Sequence, residues 1–91
     1  MDSQTRLQRS MNATYQVVAD EAILIHMKTG VYYSLNQVGT LFWQLLDGSR
    51  SVADCATALA QEYNAPRDEI QADLIELGDD LVREGLAEVV Q

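Results

Sequence analysis

The chain holds one cysteine, one histidine and one proline among 91 residues, and each scarcity removes a class of function. A single cysteine, Cys55, excludes an internal disulfide and fits a reducing compartment. With His26 as the one histidine, Cys55 cannot complete the ligand set of a usual zinc site. No apolar run approaches the roughly 20 residues of a membrane helix. The opening MDSQTRLQRS lacks the apolar core of a signal peptide, so the expected location is cytoplasmic, with no membrane partner. Basic residues are scarce too: 6 against 14 acidic, a formal charge of −8. The imbalance concentrates after Asp54, where only Arg67 and Arg83 are basic. A nucleic-acid binder carries a basic face, so no nucleic-acid partner is expected.

Catalytic groups are equally thin. A Cys55–His26 nucleophile pair needs an exposed cleft, whereas Cys55 falls on the apolar stripe of its helix and reads as a small buried residue. His26 reads as a partly exposed strand residue. Carboxylates such as Asp68, Glu69, Asp73 and Glu76 spread around a helix instead of gathering at a glycine turn, which suits a solvated face better than a calcium loop. No glycine-rich run precedes Lys28 to cradle a phosphate. The expectation is no catalytic residue, no metal and no cofactor.

What is present is 47% hydrophobic residues in a pattern that folds one small domain. Residues 1–12 are polar and read as a flexible or irregular segment, loose or paired as an irregular first strand, with the domain over 13–91. Tyr15–Val18 and Ala22–Met27 read as strands separated by a turn at Asp20-Glu21. Lys28-Thr29-Gly30 turns the chain into a returning strand, Val31–Leu35. Asn36 caps a helix over Gln37–Leu46 that Gly48 ends. Ser51 caps a second helix, Val52–Tyr63, and Asn64-Ala65-Pro66 breaks it. In the last helix, Arg67–Glu84, the residues Ile70, Leu74, Leu77 and Leu81 form a core stripe. Gly85 stops it, and Leu86–Val90 can return to the sheet. An N-terminal antiparallel sheet of two or three strands followed by three helices is an α+β fold of winged helix-turn-helix type.

The strand Val31–Leu35 is the suggestive element. Val31, Tyr33 and Leu35 share one face, Tyr32 and Ser34 the other. It carries neither proline nor charge, the usual devices that stop an edge strand from pairing, so strand addition is open to it.

These residues resemble the PqqD-like family, also called RiPP recognition elements, in which RiPPs are ribosomally made, post-translationally modified peptides. The matching residues are Ile23-Leu24-Ile25, Thr29-Gly30, Val31 to Asn36, Trp43, Leu46-Asp47-Gly48, Ser51-Val52, Tyr63, Ile70 with Asp73-Leu74, and Gly85-Leu86, spanning Tyr15 to Val89. Their order and spacing carry more weight than any one of them. Met27-Lys28-Thr29-Gly30 departs from the Pro-Glu-Gly type turn of PqqD proper, and the tyrosine-rich strand with the helix opening at Asn36 looks closer to the broader group, including stand-alone elements of lasso-peptide systems.

The resemblance implies a small winged helix-turn-helix that binds the leader segment of a precursor peptide. The leader adds as a strand against the third helix. The domain then presents it to a modifying enzyme such as a radical SAM maturase, a cyclodehydratase or a leader peptidase. Carried onto this chain, the strand side is Val31, Tyr32, Tyr33, Ser34 and Leu35, and the helix side Gln71, Leu74, Ile75, Gly78 and Val82. Gly78, mid-helix where glycine costs about 1 kcal/mol, either admits a ligand backbone or relieves crowding against the domain's own sheet. The rival readings are a winged-helix transcription regulator or protein-interaction module, and a small enzyme using Cys55.

Overall fold

The computed structural model describes residues 1–91. In chain order the elements are β1 (Arg6–Arg9), β2 (Ala13–Val18), β3 (Glu21–His26), β4 (Tyr32–Leu35), α1 (Gln37–Gln44), β5 (Asp47–Ser51), α2 (Val52–Tyr63), α3 (Arg67–Arg83) and β6 (Ala87–Val89). They form two three-stranded antiparallel sheets, ordered β2-β3-β4 and β5-β1-β6, around three helices. The α+β winged helix-turn-helix layout is the one expected, with the β3–β4 hairpin as wing and α2–α3 as the helix pair.

Local chemistry explains most boundaries. The β2–β3 turn places Ala19 (φ 52°) and Asp20 (φ 66°) in the left-handed region that a two-residue hairpin turn of the primed type demands. The Asn36 side chain accepts from the Gly39 N–H at 2.8 Å and starts α1. Ser51 and Asp54 form a reciprocal capping box that starts α2. Asn64, at φ 50°, ends it in a left-handed cap. Asp68 and Glu69 in the first turn of α3 and Arg83 in the last suit the helix dipole.

Trp43, Phe42, Leu24, Leu81 and Leu86 make the sealed centre of the core. Thr40 Oγ1 accepts from the Ala22 N–H at 2.8 Å, tying α1 to β3 inside it.

Four expectations are settled or corrected. Of the two readings of segment 1–12, loose or an irregular first strand, the strand is the one formed: β1 is central in the second sheet, its register shifts between Arg6 and Gln8, and Ser3, Thr5 and Arg6 carbonyls accept from Ala53, Val52 and Val90. Its partners are remote in sequence, so nothing local in a polar run with one buried leucine, Leu7, announces it. The segment Asp47–Ser51, expected only as a helix stop, is strand β5. The chain end does return to a sheet, but β6 pairs with β1, not with the wing.

His26 also differs from its expected partly exposed place. Only 7% of its surface is exposed, and Nδ1 accepts from both the Lys28 and Thr29 N–H groups at 3.2 Å. The ring organises the turn leading into β4.

Candidate functional site

β4 is an open edge of its sheet. The His26 N–H donates to the Val31 carbonyl at 2.9 Å, and bonded and non-bonded pairs alternate along an antiparallel ladder. With Tyr33 opposite Leu24 and Tyr32 opposite Ile25, the N–H and C=O of Tyr32 and Ser34 therefore turn away from β3. They offer two donor–acceptor pairs to an incoming strand. The Tyr32 ring is 70% exposed on the outer face, while Tyr33 and Leu35 turn to the inner one.

Beside that edge lies a groove of about 440 Å³. Its strand wall is Tyr33, Ser34 and Leu35; Asn36, Val38 and Gly39 from the start of α1 form one end. Ile70, Asp73, Leu74 and Leu77 form the helix wall, and Tyr63 and Ala65 the corner between α2 and α3. The spacing i, i+3, i+4, i+7 puts the four helix residues on one face of α3. A Cβ on Gly39 would come within 3.3 Å of both Leu77 and Asn36 side chains, so glycine there lets α1 sit close against α3.

Polar groups punctuate an otherwise apolar lining. The Tyr33 hydroxyl donates to Asp80 Oδ2 at 3.0 Å, and Arg83 donates to Asp80 Oδ1 at 2.6 Å, tying β4 to the end of α3. Arg83 first, then Tyr33, holds the Asp80 carboxyl below the usual range, whereas burial and its bond to Asp80 push the Tyr33 phenol up. Glu69, Asp73 and Glu76 make no side-chain hydrogen bond or ion pair within the chain, and of these Asp73 lines the groove. The Tyr63 hydroxyl is buried without a partner in the chain.

The residues read from the sequence divide. Tyr33, Ser34, Leu35 and Leu74 line the groove, and Val31 and Tyr32 continue the same edge. Gln71, Ile75, Gly78 and Val82 do not line it. They follow the other flank of α3, where a Cβ on Gly78 would lie 3.0 Å from Met1 Sδ and 3.2 Å from Leu7 Cδ1. The glycine relieves crowding inside the chain's own packing. Beside Leu74, the helix side of this groove is lined by Ile70, Asp73 and Leu77, of which Ile70 and Leu77 belong to the stripe that the sequence assigned to the core.

Elsewhere the chemistry is closed. Cys55 is 1% exposed, and burial pushes its thiol up to about 11, leaving it protonated and enclosed. No three His, Cys, Asp or Glu side chains are grouped to hold a metal ion. No helix is long and apolar enough to cross a membrane.

The family model described as coenzyme PQQ synthesis protein D (PqqD) matches residues 21–87. The PqqA binding protein of Xanthomonas oryzae pv. oryzae (strain PXO99A) is 33% identical over 76 residues, covering 84% of this chain and 80% of that protein. The solved structure of TbiB1 in complex with the TbiA(beta) leader peptide superposes with a TM-score of 0.79 at 28% identity, covering 89% of this chain and 94% of that one. Lasso peptide synthetase B1 complexed with the leader peptide gives 0.78 at 25% identity, covering 91% and 98%.

Proposed function

This chain belongs to the PqqD family, and we propose that it binds the leader segment of a ribosomally made precursor peptide as an added strand on β4. Leader side chains on the inner face fill the groove against α3, and the chain presents the precursor to a modifying enzyme. The observation that carries this reading is the juxtaposition of an unpaired strand edge, Tyr32–Leu35, with an apolar groove running beside it. Backbone pairing supplies affinity, and the groove supplies selectivity. The complexes of TbiB1 and of the lasso synthetase B1, both with leader peptides, support the same ligand class.

The edge, the groove and the three helices all fall within residues 13–91, to which we assign the binding function. The chain itself carries out no reaction in this reading. It acts in the cytoplasm by raising the local concentration of precursor at the enzyme. Acidic residues along α3, with Arg67 and Arg83 at its ends, argue against a DNA-reading role for that helix.

An NMR titration of labelled protein with the PqqA and TbiA(beta) leader peptides tests the reading. At least one peptide is expected to shift and protect the amides of Tyr32 and Ser34 and to shift Ile70 to Leu77. Affinity near micromolar, about −8 kcal/mol, is expected. Shifts confined to α2, or a change in precursor mass produced by the chain alone, would overturn it.

A further inference from the structure

Asp73 is an anomaly in the groove. Hydrophobic residues make up most of the lining, and this carboxylate stands at its solvent-exposed rim with no cationic or hydrogen-bonding partner from the chain. Asp80, about two helical turns further on, is engaged by Tyr33 and Arg83 through both carboxylate oxygens. A strand added to β4 alternates its side chains, and those sharing the inner face with Tyr33 and Leu35 are laid over the groove. Whatever occupies the position over Asp73 takes water from that carboxylate, which costs free energy unless a partner replaces the water. An apolar residue supplies no partner, and an acidic one adds repulsion in a chain already at −8. A side chain with an aliphatic stem and a cationic tip satisfies both the apolar wall of Ile70 and Leu77 and the carboxylate.

Resting on the strand-addition reading above, we propose that Asp73 is a specificity determinant that selects a lysine or arginine in the bound peptide at the inward position facing it. The acidic stretch of α3 then acts at one defined point of the ligand and not only as a diffuse attraction.

The test uses a displayed library of random 12-residue peptides selected in parallel against the unaltered chain, Asp73→Lys and Asp68→Lys. Asp68 is 98% exposed, is not a groove residue, and its reversal makes the same change in net charge. Unaltered protein and Asp68→Lys are expected to select lysine or arginine at one fixed position between apolar residues. Asp73→Lys is expected to select aspartate or glutamate at that position. Swapping the ligand charge on one selected peptide should change affinity roughly three- to tenfold, with opposite sign for unaltered chain and Asp73→Lys. If all three proteins select peptides that protect Tyr32 and Ser34 but show no charge exchange at any position, the assignment of Asp73 fails and strand addition stands. If no selected peptide protects those amides, strand addition fails and the Asp73 assignment falls with it.

Discussion

The two flanks of α3 present similar sequences to very different surroundings. One flank, Ile70, Asp73 and Leu77, faces an open groove along β4. The other, Ile75, Gly78 and Val82, is backed by the chain's own residues, with Met1 and Leu7 over Gly78. Both are mainly apolar stripes beside the same core positions, Leu74 and Leu81, the first interrupted by Asp73. An amphipathic helix therefore advertises that it will be covered but not by what. The polar N-terminal segment covers one flank, with Met1 and Leu7 over Gly78, and leaves the other lining an open groove.

Substitutions that treat the flanks alike should separate them. Gly78→Leu is expected to have the largest effect. It forces a side chain into the space held by Met1 and Leu7, and should destabilise by about 3 kcal/mol in denaturant unfolding. Leader affinity of the protein that remains folded should be unchanged. An affinity loss without a stability loss would mean that this flank, not the other, receives the ligand.

Leu77→Arg comes next. Leu77 is only partly buried, so folding should tolerate the charge, while leader binding weakens by about 2 kcal/mol, roughly thirtyfold in Kd. Ile75→Arg, at an equally half-buried position on the other flank, should leave Kd of the folded fraction within about twofold. Calorimetric titration beside thermal melting reads both, and equal effects at the two positions would erase the distinction between flanks.

Tyr33→Phe is a smaller perturbation, at the tie between β4 and the end of α3. It should lower the melting temperature by about 4 °C or less and loosen the edge strand, seen as faster amide exchange at Tyr33 and Leu35. Unchanged exchange would mean the backbone ladder alone holds β4.

The smallest expected effect is in acid. Asp80 has a folded pKa below its ordinary value of 3.8, so its contribution is complete above that value and is lost as pH falls through the depressed folded one. Asp54, held down by its capping-box bonds to Ser51, behaves the same way. Asp80→Asn should therefore flatten the acid limb of a melting-temperature profile while leaving α2 unaffected. A limb as steep as before would remove the Asp80 pair from the account.

How much of this was legible in advance follows physical locality. Helix periodicity, the caps at Asn36 and Ser51, the break at Pro66 and the turn at Gly30 are properties of a few neighbouring residues, so the three helices and the wing could be read within a residue or two. The edge character of Tyr32–Leu35 was also readable, because proline and charge are absent there. Three things depended on partners far away in the chain. Strand β1 exists because β5 and β6 flank it, not because RLQR favours a strand. His26 is buried because its ring bonds a turn while the C-terminal end of α3 closes over it, bringing Gly85 to within 3.3 Å of Nε2 for a Cβ placed there. The choice between the flanks of α3 was made by Met1 and Leu7, some seventy positions away along the chain, as a register of packing that no local pattern encodes. Composition and periodicity determined which surfaces must be covered; only tertiary contact decided which one the fold covers and which stays open along the β4 edge.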